Sequence, residues 1–474
     1  MTAPGRDRLL TRAVVGSRRK YLGLALVLAW HYCLWFVPGT FPAMYLLDDR
    51  ITFGWLIALA ATVLTLFGLA LGLGRTRHLP RSPVAIWIVA GAAAAATAAL
   101  AVGCRASVGP VVAYCASAGV GVTAGLLWAM WGDRLACQRA QFTMRRLGPT
   151  YGSTLVAGLV LASCLPGVSA LVFVALLPLA SGLLLHASWR QQPRANCPPI
   201  LPKQAARHGI FIIATVATIS FVAAFVCYFT VAIVPLDHLR WGVGRSFTLG
   251  AVTGAVMILG IALLQRLVPS HPTVFRLYPW LVFAGALACL LCVLGAENVA
   301  FLLALAVSSV FEILLLMYMA RTTLAGYTPV VAAFAVSGGA IRLGICLGNG
   351  TAIIYERTPG LPDTWTEPTL ILFVAILAAV LIPLVRQEYA INDLARNPRD
   401  DSERVTVIDH VAEQFRLSNR EKEIVGLLGR GYTAAIVAEK LVISPHTVNT
   451  HVQHIYEKLG IHKRSELITY LNNR

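Results

Sequence analysis

Apolar runs long enough to cross a bilayer recur along most of this chain, and they leave it few folds to choose from. They lie near 21–37, 51–73, 84–103, 107–131, 150–166, 168–187, 209–234, 246–265, 277–295, 298–320, 327–354 and 368–385. A hydrocarbon core takes roughly 20 apolar residues as a helix, whose backbone hydrogen bonds are all satisfied internally. Twelve runs predict an all-α, polytopic transmembrane bundle over residues 1–385. The segments flanking Pro166 are the least clearly separated, and Arg342 interrupts the run around it, which leaves ten or eleven spans open. At 57% hydrophobic residues the chain is excluded from the ordinary soluble class. The basic start followed by Tyr21–Val37 has the shape of a secretory signal, but without a small-residue cleavage site it reads as the first span.

The net charge of +17 invites a nucleic-acid reading of the whole chain. Residues 416–474, however, hold nine Lys/Arg against five Asp/Glu, so most of the surplus lies between the apolar runs. Lys and Arg accumulate in cytoplasmic loops, which turns that surplus into a topology. With the N-terminus inside, inner segments carry Arg6, Arg8, Arg12, Arg18, Arg19, Lys20, Arg75, Arg77, Arg81, Arg134, Arg139, Arg145, Arg146, Arg190, Arg194, Lys203, Arg207, Arg266, Arg276 and Arg321. Outer segments carry only Arg50, Arg105, Arg240, Arg245 and Arg357, beside acidic Asp48, Asp49, Asp237, Glu297, Glu356, Asp363 and Glu367. An even number of spans returns the C-terminus to the cytoplasm. The expected location is the cytoplasmic membrane, with both termini inside.

The inner loop from Ser188 to His208 is rich in Pro, Gln and Arg and divides the spans six and six. That layout resembles the major facilitator architecture of two six-helix halves around a central cavity, though the sequence shows no internal repeat. The loop Gly72-Leu73-Gly74-Arg75-Thr76-Arg77-His78 has the glycines and arginines of that family's loop between spans two and three but not its Asp. After the last span, residues 386–409 turn charged and read as a linker with a flexible point at Asn397 to Ser402. Val405 to Phe415 can add a helix leading into the C-terminal stretch.

Ser444 to Gly460 reads SPHTVNTHVQHIYEKLG. Ser444 suits an N-cap, Pro445 the first helical position and Gly460 a left-handed C-terminal stop. Val448, Val452, Ile455 and Leu459 form an apolar stripe, and His446, Asn449, Thr450 and Gln453 fall opposite it. Upstream, Ser418 and Glu421 make a capping box for a helix carrying Ile424, Val425, Leu427 and Leu428. A second helix from Thr433 buries Ile436, Val437 and Leu441 and turns through Val442 and Ile443 into Ser444, which is helix-turn-helix spacing. Ser465 caps a short fourth helix with Leu467, Ile468 and Leu471.

In register, Arg420-Glu421, Gly431, Ala438-Glu439, Leu441, Ser444, Thr447-Val448, His451, Ile455, Lys458-Leu459-Gly460 and Arg464 resemble the LuxR-type (NarL/FixJ-like) helix-turn-helix family over residues 410–474. Ala434-Ala435-Ile436 departs from its usual polar residues. The resemblance implies a four-helix module whose third helix enters the major groove. Carried over by position, Asn449, Thr450 and Gln453 match residues that face base edges, while Thr447, His451, Lys458 and the His462-Lys463-Arg464 turn look like DNA-backbone contacts. His446 and His454 complete the candidate DNA-binding set. Asn and Gln can bond adenine bidentately, so an A/T-leaning site is expected.

In the membrane region, Glu312 and Arg342 are lone charges at membrane depth and are expected to pair if spans ten and eleven are neighbours, either structurally or as part of ligand or proton coupling. Trp30, His31, Tyr32, Trp35 and Phe36 in span one, with Trp128 and Trp131 in span four, suit either an aromatic-lined pocket or interfacial anchoring. Glu312, Arg342, His31 and Trp30 are the candidate ligand or coupling residues. Cys289 and Cys292 form a C-x-x-C inside an apolar run and read as packing residues. No cofactor, metal cluster or catalytic triad is expected, and the chain does not read as an enzyme.

Beside a constitutive membrane-tethered repressor with no ligand, two readings stay open. One is a membrane-bound one-component transcription regulator that senses a small molecule through its membrane domain. The other is a secondary transporter with an appended regulatory DNA-binding domain. The expected partners are double-stranded DNA, the lipid bilayer, an unnamed small-molecule effector and a second copy of the chain on DNA, with RNA polymerase a further partner open to such a regulator.

Overall fold

The computed structural model describes residues 4–40, 49–73, 79, 82–104, 109–138, 140, 142–191, 203–267, 274–388, 391, 407–429, 434–461, 463, 466–467 and 470–471. It divides the chain into two compact units, Met1–Ala395 and Arg396–Arg474.

The first unit holds twelve long helices among the described residues: α1 (Pro4–Phe36), α2 (Asp49–Leu73), α3 (Pro83–Gly103), α4 (Pro110–Cys137), α5 (Met144–Cys164), α6 (Gly167–Gln191), α7 (Lys203–Ala232), α8 (Val243–Leu267), α9 (Tyr278–Val293), α10 (Glu297–Leu324), α11 (Val330–Arg357) and α12 (Leu361–Arg386). Eleven, α2 to α12, are long and apolar enough to cross a membrane. The apolar part of α1 packs inside the bundle, with Leu24, Trp30 and Leu34 fully buried. Both points that left ten or eleven spans open are resolved. Leu165 is extended and Gly167 takes φ +38, so α5 and α6 part cleanly around Pro166. Arg342 does not break α11, which runs through it without interruption. Between the halves, α6 reaches Gln191 and α7 begins at Lys203, so the regular helices extend well into the segment read as the Ser188–His208 loop.

The helix pairings reveal the repeat that the sequence hides. In the first half α1 packs on α4, α5 and α6, α2 on α4, α3 on α4 and α6; in the second, α7 packs on α10, α11 and α12, α8 on α10, α9 on α10 and α12. Each of these pairings recurs with its index raised by six, although α10 packs far more closely on α11 than α4 does on α5. The halves meet chiefly through α2 with α11 and α5 with α8, which are themselves exchanged by the same relation. Polar contacts tie the halves together as well: the Thr248 hydroxyl donates to the Phe36 carbonyl (2.6 Å) and Arg321 Nε to the Phe142 carbonyl (2.7 Å). Within the second half, a Cβ on Gly344 or Gly348 would run into the α7 carbonyls of Phe221 and Phe225, so α11 lies backbone-to-backbone on α7.

The second unit begins its described structure with a helix at 407–414 (α13), followed by α14 (Asn419–Gly429), α15 (Ala434–Leu441) and α16 (Pro445–Leu459). Ile408, Val411 and Ala412 are buried, and Asp409 pairs with Lys422 of α14 at 2.8 Å. α13 therefore belongs to this unit, and its core reaches back beyond the residue 410 at which the sequence pattern starts. Val437 is buried and Leu441 half-buried; Ile436's side chain, Thr433, Ser465 and Ile468 lie outside the described residues. Leu467 and Leu471 are buried, and Phe415 meets Tyr470 edge-on at 6.0 Å.

Candidate nucleic-acid interface and membrane cavity

Helix α16 of the second unit is bracketed as its sequence requires. Ser444 is extended (φ −71, ψ 149) and its hydroxyl accepts from Thr447 N at 3.0 Å, Pro445 follows it, and Gly460 closes the helix at φ 65. Val448, Ile455 and Leu459 are buried and Val452 half-buried, which turns the opposite face outward. His446, Thr447, Asn449, Thr450, Gln453 and His454 are exposed, and His451 is half-buried. Two of these hydroxyls have helical partners: Thr450 Oγ1 donates to the His446 carbonyl (3.1 Å), and Thr447 Oγ1 lies 2.8 Å from Ser444 Oγ. The Asn449 and Gln453 side chains therefore carry the forked donor–acceptor pattern that the face presents to a groove.

The candidate backbone contacts divide differently. Lys463 is exposed, and Arg464 lies outside the described residues. Lys458 is engaged inside the domain: its ammonium sits 2.6 Å from Glu421 Oε2. Glu421 in turn completes the capping box, accepting from Ser418 N at 2.7 Å while its own N–H donates to Ser418 Oγ at 3.2 Å. Burial alone would raise the Glu421 carboxyl's pKa, but the Lys458 ammonium and the Ser418 donors outweigh it and hold it below its ordinary value. Lys458 thus ties α16 to α14, with its side chain still partly exposed.

The turn between α15 and α16 is made without glycine. Ile443 N donates to the Ala438 carbonyl at 3.0 Å, the long bond of a Schellman ending, and Val442 takes φ 53. For a β-branched residue that conformation is strained, and Val442 is 89% exposed, so no packing compensates it.

In the membrane unit, Glu312 on α10 and Arg342 on α11 pair at 3.0 Å, each almost wholly buried. Both belong to the second half, and each is covered by an aromatic group from the first. The Tyr32 hydroxyl of α1 lies 3.4 Å from Glu312 Oε2 and 2.9 Å from Ser309 Oγ. The Arg342 guanidinium lies over the Trp128 ring of α4 at 4.8 Å, and its Nη1 donates to the Gly338 carbonyl. Trp128 Nε1 donates across the halves to the Phe334 carbonyl at 3.1 Å.

This pair borders a cavity of about 40 Å³, lined by Leu28, His31, Tyr32, Trp35, Phe36, Trp55, Leu59, Tyr228, Glu312, Arg342 and Ile345. Three of the four candidate ligand residues, Glu312, Arg342 and His31, meet there. Trp30 does not. It points away from the cavity to α3, where its Nε1 donates to Thr97 Oγ1 at 3.1 Å, and its ring meets the His31 ring edge-on. His31 does not make the hydrogen bond within the bundle that a buried histidine is expected to find: both ring nitrogens lack a protein partner. Tyr32, Trp35 and Phe36, named in the aromatic group of span one, also line it, whereas Leu28, Trp55, Leu59, Tyr228 and Ile345 are lining residues that the sequence reading did not single out. For α1 the missed signal is periodic, since Leu28, His31, Tyr32 and Trp35 stand at i, i+3, i+4 and i+7. Trp128 and Trp131 are fully buried rather than interfacial. Cys289 packs against Thr230 Oγ1 at 3.3 Å.

Residues 416–471 match the family described as bacterial regulatory proteins, luxR family. The C-terminal unit is a LuxR-type DNA-binding domain. Over 81 residues the chain is 37% identical to the oxygen regulatory protein NreC of Staphylococcus aureus strains JH9 and Mu3 / ATCC 700698, a stretch that is 17% of this chain and 35% of NreC. The chain thus spans about a third of the length of the curated relatives it matches. The membrane unit is similar in fold to solved transporters. A mutant of the peptide transporter POT in complex with alafosfalin aligns with a TM-score of 0.51 at 12% identity, covering 81% of this chain and 95% of that one. An auto-inhibited POT family peptide transporter aligns at 0.50 and 11%, covering 81% and 97%. A LuxR-type domain is here joined to a membrane unit of major facilitator fold.

Proposed function

We propose that the chain is a membrane-bound one-component transcription regulator: the membrane unit senses a small molecule, and the LuxR-type domain answers by a change in DNA binding. The observation that carries the reading is the placing of the Glu312–Arg342 pair. It lines a cavity and is covered by one aromatic side chain from each of two first-half helices. A ligand there competes for the groups that hold the halves together, and a difference in affinity between two bundle states is what a sensor requires. The distribution of Lys and Arg supports the cytoplasmic membrane with both termini inside. Two half-sites on DNA call for a homodimer, and RNA polymerase is the partner through which such a regulator acts.

The same buried ion pair favours a second reading, a working secondary transporter with a regulatory domain appended. One experiment distinguishes them: transcriptomes of cells carrying the native chain or an Asn449→Ala/Gln453→Ala form, each with and without a panel of small molecules. A compact gene set that answers one compound only with the native helix supports the sensor. Unchanged transcripts together with compound uptake in both strains support the transporter.

A further inference from the structure

We infer that one end of the seam between α5 and α8 binds the phosphate of an anionic phospholipid, which there bridges the two halves of the membrane unit. It is the end at which α5 begins and α8 stops, the inner one on the proposed topology. The seam is close-packed: a Cβ on Gly152 would meet the Leu259 side chain and the Ala255 carbonyl, and one on Gly148 the Ala262 methyl. At its end Arg266 of α8 donates from Nη2 to the Arg145 carbonyl of α5 at 3.4 Å, a long contact. That places the Arg266 guanidinium beside the first turn of α5, which carries Arg145 and Arg146. All three arginines are exposed.

Among the described residues no carboxylate pairs with any of these three cations. Of the acidic side chains described at that edge, Asp133 is buried and Glu388 is engaged with Arg276 at 2.9 Å. The neighbouring surface is of the kind that acyl chains cover. Leu263, Leu264 and Leu267 beside Arg266 are each more than half exposed, and Arg146 shares an exposed face of α5 with Ser153, Ala157 and Val160. Cations that end an exposed apolar strip lie at the depth of the lipid headgroups. A guanidinium fork meets two phosphate oxygens at once, which suits arginine to this ligand. One headgroup held by Arg146 from the first half and Arg266 from the second adds a charged tie where the protein itself has one long hydrogen bond. Anionic lipid therefore favours the bundle closed at this edge.

The test titrates the full-length chain in detergent with phosphatidylglycerol or phosphatidylcholine and counts retained lipid by native mass spectrometry, with thermal unfolding as a second readout. The native chain is expected to hold phosphatidylglycerol about tenfold tighter than phosphatidylcholine and to melt higher in its presence. Arg146→Gln/Arg266→Gln is expected to lose both the preference and the shift in melting. Arg190→Gln/Arg386→Gln removes the same charge from exposed positions at the same edge and is expected to keep both. An equal fall in the two double variants overturns the inference, because the edge then attracts anionic lipid only by its overall charge. Retention of the preference in Arg146→Gln/Arg266→Gln also overturns it. If inorganic phosphate added with phosphatidylcholine raises the melting temperature as much as phosphatidylglycerol does, the site takes a free anion and the lipid assignment falls. Should Arg146→Gln/Arg266→Gln not fold, the comparison of phosphatidylglycerol, phosphatidylcholine and inorganic phosphate on Arg266→Gln alone decides the point. The outcome leaves the regulator and transporter readings untouched, since neither depends on this seam.

Discussion

Glu312 and Arg342 stand 3.0 Å apart on adjacent helices of one half, and the aromatic groups that cover them come from the other half. Removing one partner leaves its mate as an uncompensated buried charge, whereas removing both leaves a neutral gap. Glu312→Gln alone is expected to lower the stability of the membrane unit by about 3–5 kcal/mol, and Glu312→Gln/Arg342→Gln to recover most of it. Thermal unfolding of the single and double variants in detergent checks this; additive losses would show that the pair is not coupled.

Val442 predicts a gain. Its left-handed backbone costs a β-branched residue about 1–2 kcal/mol, and glycine takes that conformation freely. Set against the greater freedom of glycine in the unfolded chain, Val442→Gly is expected to stabilise the domain by about 1 kcal/mol or less. Slower hydrogen exchange at the amides of α15 and α16 in the full-length chain is the readout.

The Glu421–Lys458 pair makes the LuxR-type domain acid-sensitive in a stated direction. The carboxyl's pKa is held below 4.5 in the folded domain, so its stabilisation is fully present above that value and is lost as pH falls through the lowered one. Glu421→Gln is expected to be weaker than the native domain by about 1–3 kcal/mol at neutral pH, a difference that disappears in acid. Denaturation of both forms across that range measures it.

On the first unit, the short helical turn at Leu236–His238 is pinned to the start of α10. His238 Nδ1 lies 2.6 Å from Glu297 Oε2, and Asn298 Nδ2 donates to the His238 carbonyl at 2.9 Å. The hydrogen bond and charge of Glu297 raise the His238 pKa above 6.5. The contact is present at lower pH and is lost as pH rises through that raised value. Histidine NMR should show the His238 titration moving down toward 6.5 in Glu297→Gln.

DNA reading separates into two classes of loss. Asn449→Ala and Gln453→Ala are each expected to cost about 1–3 kcal/mol and to relax preference at A/T positions. Lys463→Ala is expected to weaken all sequences alike and to reduce the salt slope by about one. A guanine-dominated consensus from selected sites would refute the adenine assignment.

The reading helix was almost fully legible because caps, stripe and stop are local: Ser444, Val448 and Gly460 act within a few residues of one another. The ion pair was legible because lone charges in apolar runs have few partners. The cavity was less so. Trp30 and His31 are adjacent in sequence and face different neighbours, and only the periodic face shared by Leu28, His31 and Trp35 separates them. The internal repeat was invisible for a related reason: it resides in which helices touch, and any small or apolar residue serves those contacts. The Lys458–Glu421 contact was not legible, because the two residues lie 37 positions apart.

A scaffold that repeats itself but places the ion pair of its cavity wholly in one half does not present two equal faces to that cavity. Parting the halves would carry Glu312 and Arg342 together and leave only their aromatic cover behind. Opening the bundle then means wetting a dipole, not separating two ions, and the barrier to that motion rests with Tyr32 and Trp128.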